Sequence, residues 1–135
     1  MFVYDDATGR PLKRGDTLQG HPTVGVGRNL SERGLSRLEA DLLFTHDVLE
    51  VTTSVIRAWP WMAALDEARL AVFVSLAFNV GLGGLRGFKR TLAHAQASEW
   101  SEAAYEMLDS RWADQVGDRA EQLATMLRLG AWPEE

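Results

Sequence analysis

The chain has no cysteine, which excludes disulfides and thiolate metal sites. No stretch approaches the roughly 20 consecutive apolar residues that cross a bilayer, so no membrane span is expected. The charged-then-apolar opening of a secretory signal is missing as well. Positive charge is scarce: the net charge is −5 at pH 7, which argues against a general polyanion-binding surface and against nucleic acid as a partner. The histidines, His21, His46 and His94, share no ligand spacing, so neither a metal nor another cofactor is expected. There is no internal repeat and no low-complexity tract. What remains is an ordinary packed composition, 46% apolar over 135 residues, enough for one domain or for one core with a small lobe.

The stretch around which the rest is organised is the first thirty residues. Tyr4-Asp5-Asp6 opens it with two adjacent acids, and Thr23-Val24-Gly25-Val26-Gly27 alternates β-branched residues with glycines. That alternation predicts a strand with one bare face, where a ligand could lie close to the backbone. Between them, Gly9, Pro11, Gly15, Asp16, Gly20 and Pro22 make a turn-rich run. Together they describe a small hairpin-like lobe with carboxylates at its rim.

The remainder reads as helical. Ser36-Arg37-Leu38-Glu39 is a capping box, and behind it Leu38, Leu42, Leu49 and Ile56 recur at helical spacing as far as Trp59-Pro60. This predicts a long helix over 36–59, more than about 30 Å at ~1.5 Å per residue, of the kind that joins two lobes. Asp66 caps the next helix, whose apolar run Ala68–Val80 predicts the buried centre of the fold and which stops at Gly81. Further helices are predicted over 88–97 and, capped by Ser98, over 99–109. A short piece follows around 111–115. A last helix over 119–129 begins after Gly117-Asp118 and ends at Gly130. The fold class is therefore α+β with most of the mass helical: a β-lobe over 1–35, a connecting helix over 36–59 and a helical lobe over 60–135.

By residue type alone, Asp5 and Asp6 could start a turn or supply carboxylates to a hydrolytic site. A glycosidase needs one carboxyl group as acid and a second to activate water or to stabilise positive charge on the sugar.

The context of that pair resembles a known family. Tyr4-Asp5-Asp6-x-x-Gly9 is followed by Pro22-Thr23-Val24-Gly25-Val26-Gly27-Arg28-Asn29-Leu30 and then by the capped helix. Later come Phe78-Asn79-Val80-Gly81, Gly84-Leu85-x-Gly87-Phe88, Trp100-x-x-Ala103-Ala104, Ser110-Arg111-Trp112-x-x-Gln115, Arg119-Ala120 and Gly130-x-Trp132. In this order and spacing they resemble the phage-type lysozymes, the endolysins of the T4 lysozyme family, over almost the whole chain. The resemblance implies a two-lobed, monomeric enzyme. Such an enzyme hydrolyses the β-1,4 bond between N-acetylmuramic acid and N-acetylglucosamine in peptidoglycan, with inversion at the anomeric carbon. It also implies a phage or prophage lysis protein held in the host cytoplasm and released to act on the wall from the periplasm.

Carried over position by position, the resemblance makes Asp6 the carboxylate that positions and activates water, and Thr23 the hydroxyl beside it. It places Asn29, Phe78, Thr91 and Glu106 at positions contacting the glycan or its peptide stem, and makes Arg119 the partner of the catalytic Glu. By residue type, Phe78 reads equally well as a core aromatic and Glu106 as a solvated face residue. Trp100, Trp112 and Trp132 are expected to pack the helical lobe.

Two features depart from the family pattern. The family Glu sits in a Glu-Gly pair on a first helix about nine residues ahead of the Asp, and nine positions before Asp6 falls ahead of Met1. Three expectations follow: a reading frame begun at an internal codon, an acid-less binder or lysis regulator, or a substitute carboxyl among Asp5, Asp16 and Glu32. The run from Arg10 to Pro22 is also longer than the family's short turn, and is expected to alter glycan or peptide-stem contacts. Arg28 stands where many relatives carry His.

Overall fold

The structure is a computed structural model describing residues 2–134. Three short strands are followed by six helices: β1 (Tyr4–Asp5), β2 (Pro22–Val24), β3 (Arg28–Asn29), α1 (Arg37–Ala58), α2 (Glu67–Arg86), α3 (Lys89–Gln96), α4 (Trp100–Leu108), α5 (Arg111–Val116) and α6 (Asp118–Leu129). A 3-10 turn, Pro60–Ala64, separates α1 from α2. The fold is α+β and mostly α, as the periodicity predicts. Two compact units are resolved, residues 1–45 and 46–135, with the division falling inside α1.

In the first unit β1, β2 and β3 form an antiparallel sheet in that order, with Tyr4 opposite Thr23, Thr23 opposite Asn29 and Val24 opposite Arg28. The predicted strand through Gly27 is shorter than expected. Gly25 (φ 65°) and Gly27 (φ 90°) take left-handed conformations that turn the chain into a β2–β3 hairpin, with Val26 exposed at its tip. Among the described residues this unit buries no apolar side chain fully. Its buried residues are Asp5 and Thr23, so polar bonds do the work that a core does elsewhere. The Arg28 guanidinium pairs with Glu39 at 2.6 Å and donates to the Gly34 carbonyl at 3.1 Å, tying the hairpin to the first turn of α1. The capping box forms in full. The Glu39 amide donates to Ser36 Oγ at 3.1 Å and the Ser36 amide to Glu39 Oε1 at 3.2 Å. The Ser36 bonds and the nearby Arg28 hold the Glu39 carboxyl below its ordinary pKa.

The hydrophobic core lies in the second unit, where Val55, Val72, Phe73, Leu76, Leu85, Met107, Leu123 and Leu127 pack together from α1, α2, α4 and α6. Asp66 caps α2 by accepting the Arg69 amide at 3.0 Å. Arg69 then reaches the far end of the chain. Its guanidinium donates to the carbonyls of Leu127 (2.7 Å) and Arg128 (2.9 Å) and stacks over Trp100 at 4.2 Å, so it caps α6 from outside. Gly130 closes α6 in the left-handed conformation, and a Cβ there would meet the Arg69 guanidinium at 2.9 Å.

Among the described helices α2 is long and apolar enough to cross a membrane. Its regular helix is broken at Gly81 (φ 75°, ψ 169°), where the sequence ends it, and its apolar face is the centre of the core. It is read as a core helix. Two local expectations are overturned. Ser98 does not cap α4: it takes a left-handed conformation (φ 59°) after α3, and Glu99 occupies the cap position, with its carboxylate 3.2 Å from His94. Trp112 is buried and meets Phe88 edge-to-face at 6.1 Å, but Trp132 is 58% exposed and packs no core. Along α1, Leu38, Leu42 and Leu49 of the leucine stripe are exposed.

Candidate active site

Side chains alternate across a strand, so the register decides who meets whom. Tyr4, Thr23 and Asn29 are cross-strand partners and project from one face of the sheet. One residue past β1, Asp6 is opposite His21, and the Asp6 amide donates to the His21 carbonyl at 3.1 Å. By alternation Asp6 and His21 join that same face, and Asp5 goes to the other. Three predicted site residues, Asp6, Thr23 and Asn29, are thereby gathered on one side of a small sheet.

The two adjacent acids differ sharply. Asp5 is buried, and its carboxylate accepts three backbone amides, from Gln19 (2.7 Å), Ala7 (2.9 Å) and Gly20 (2.9 Å). These bonds, the Gln19 amide foremost, hold its carboxyl below the ordinary value. Asp5 is the clasp that closes the long loop 10–20, and that loop lines a polar cavity of about 510 Å³ together with Arg10, Lys13 and Asp16. Asp6 is exposed. Its Oδ1 accepts the His21 amide at 2.6 Å, the bond that the Asp6 main-chain carbonyl would take if the ladder continued regularly. The rest of the carboxylate is open to solvent and to the His21 ring.

Thr23 is buried, and its hydroxyl donates to the His21 carbonyl at 3.1 Å. With its proton so committed, the oxygen offers lone pairs as an acceptor. Asp6 and Thr23 thus grip the same residue from two sides, the carboxylate on the His21 N–H and the hydroxyl on the His21 C=O. Gly20 makes this possible, since a Cβ there would overlap Asp6 Oδ1 and lie 2.8 Å from the Ala7 backbone nitrogen. Sequence reading treated Gly20 only as a turn residue. The signal it missed is the close approach of two backbones beside an acid. Asn29 has a local role: its Oδ1 accepts the Ser31 amide (3.0 Å), the Ser31 hydroxyl (2.9 Å) and the Glu32 amide (3.1 Å), a turn that shapes the loop into α1.

The other predicted residues belong to the second unit. Phe78 is 47% exposed on α2, so it is not the core aromatic that its residue type allows. Arg119, at the start of α6, donates to Ser75 Oγ at 2.7 Å, and Ser75 lies three residues before Phe78 on the same helical face. Among the described residues no carboxylate is in ion-pairing range of Arg119. Thr91 is buried on α3, and with Glu106 of α4 it lines a cavity of about 340 Å³, where Arg90 stands 3.9 Å from the Glu106 carboxylate. For a metal, His46, Asp47 and Glu50 bring ligand atoms within 4.8 Å of one another on α1, and all three are exposed.

Comparison with known proteins finds relatives over most of the chain. The phage lysozyme family description matches residues 6–128. The chain is 25% identical over 160 residues to "Probable T4-type lysozyme 1" of Dictyostelium discoideum, covering 96% of this chain and 92% of that protein. It is 27% identical over 163 residues to "Probable T4-type lysozyme 2" of the same organism, covering 99% and 95%. It is 21% identical over 140 residues to the pre-baseplate central spike protein Gp5 of Enterobacteria phage T4, covering 83% of this chain and 24% of that protein. With most of its length matched and a small carboxylate-bearing sheet ahead of a helical core, the chain belongs to the phage lysozyme family.

Proposed function

We propose that the chain is a peptidoglycan-directed muramidase module that hydrolyses the β-1,4 bond between N-acetylmuramic acid and N-acetylglucosamine, in a lysis system acting on the bacterial wall after release from the host cytoplasm. The observation that carries this reading is the pairing of Asp6 and Thr23 about His21 on one face of the sheet. An ionised carboxylate and a hydroxyl oxygen with free lone pairs both accept hydrogen bonds, so together they can hold one water by its two O–H groups. Asp6 then takes a proton from that water as its oxygen attacks the anomeric carbon, opposite the departing sugar oxygen. Phe78 offers an exposed apolar face to a sugar ring, and the Thr91–Glu106 cavity offers polar contacts to the glycan or peptide stem.

The leaving oxygen also needs a proton. Asp6 and Thr23 supply the water-handling half of the reaction. General acid assistance to that leaving oxygen is worth about 10²–10⁴-fold. An aryl glycoside whose leaving group departs as a stable phenolate bypasses the need for an acid. Arg119, bonded to Ser75 and to no carboxylate among the described residues, favours a second reading, a non-catalytic peptidoglycan-binding or lysis-regulating module.

Purified peptidoglycan separates the two. The muramidase reading expects binding to the insoluble sacculus and release of new reducing ends. Binding with no reducing ends, and no phenolate from the aryl glycoside, assigns the chain to the binder class.

A further inference from the structure

His21 has so far served through its backbone alone, yet its side chain lies between two acids. Its Nδ1 is 3.4 Å from Asp6 Oδ2 and its Nε2 is 3.7 Å from Glu32 Oε1. Its backbone amide occupies the other Asp6 oxygen at 2.6 Å. Both oxygens of the proposed base are therefore faced by one residue, and the far side of the imidazole is faced by a second carboxylate. Asp5 also feels the ring's charge. Among the described residues neither Asp6 nor Glu32 has a Lys or Arg partner, so the ring is the cation available to both.

The protonation state matters for geometry. Ionised carboxylates only accept hydrogen bonds, and neutral imidazole has one N–H. A neutral ring can serve either Asp6 or Glu32 and turns a lone pair toward the other, whereas imidazolium donates to both. We infer that His21, held by Glu32, is a positioning residue for Asp6: in its doubly protonated form it fixes the plane of the Asp6 carboxylate toward the water that Asp6 activates. This rests on the reading of Asp6 as the base. The amide bond to Oδ1 sets one oxygen, the imidazolium sets the other, and Glu32 keeps the ring from swinging away. The effect is orientation, which acts on kcat rather than on glycan binding.

The test uses the full chain and the aryl glycoside. His21→Gln keeps the backbone amide and removes the cation, and is expected to lower kcat at least tenfold with KM unchanged. Glu32→Gln, at an exposed position, is expected to lower kcat by a smaller factor in the same direction. A His21→Gln chain with wild-type kcat overturns the inference while leaving Asp6 as the base. A wild type that releases no phenolate overturns the muramidase reading and this role together.

Discussion

A pair of leucine-to-alanine substitutions examines where this protein keeps its stability. Leu76, on α2, is fully buried in the core of the second unit, whereas Leu42, on the first half of α1, is 63% exposed. Truncating a fully buried leucine removes its transfer free energy and leaves a cavity, which costs about 2.7–5.0 kcal/mol. Unfolding entropy runs at about 2 cal/mol/K per residue, or roughly 0.3 kcal/mol/K for a chain of this length, so Leu76→Ala lowers Tm by roughly 9–17 °C. Leu42→Ala removes a side chain that already meets water, and alanine is the better helix former, so its effect lies within about 0.5 kcal/mol of zero. Calorimetric melts of the two variants beside the parent read both numbers directly. A loss at Leu42 comparable to that at Leu76 would refute the reasoning, because it would mean that the exposed stripe is covered in solution.

Three further outcomes follow from the same bonds. The depressed Asp5 carboxyl contributes stability that is present above its unfolded pKa of about 3.9 and is lost as pH falls through the lower folded value. Melts between about pH 2 and 6 should show that loss, and Asp5→Asn should remove this share of the pH dependence. Ser36→Ala deletes the α1 cap and should cost about 1 kcal/mol by denaturant titration, with no change in the core aromatic signal. Gly20→Ala should displace the Asp6 carboxylate, whose oxygen occupies the space a Cβ would take, and so cut kcat on the aryl glycoside sharply at unchanged glycan affinity.

Much of this was legible in the chain because the signals were local. Ser36 with Glu39, Asp66 before its apolar run, and Gly130 after the last helix each state a helix end in a few residues, and each forms the predicted bond. The strand through Gly27 was overextended because alternation looks the same whether glycine bares a face or turns a corner, and only the positive φ separates the two. Trp132 was assigned to a core by size, though nothing in its neighbourhood forces burial. At the site, residue type and spacing pointed to Asp6 and Thr23 but could not say how they meet. The roles of Asp5 as clasp, Gly20 as clearance and His21 as the bridge depend on a loop closing back over fifteen residues, which no local pattern encodes.

The central claim is that Asp6 activates the attacking water. The most direct measurement is phenolate release from an aryl glycoside that carries the phenol on the anomeric carbon of the muramyl residue in a glucosaminyl–muramyl disaccharide, by the parent chain and by Asp6→Asn, with the anomer of the first-formed sugar read by NMR. The account predicts hydrolysis with inversion by the parent and a loss of about 10²–10⁴-fold on Asp6→Asn with the fold intact. Equal rates in the two chains, or retention of configuration, would contradict it.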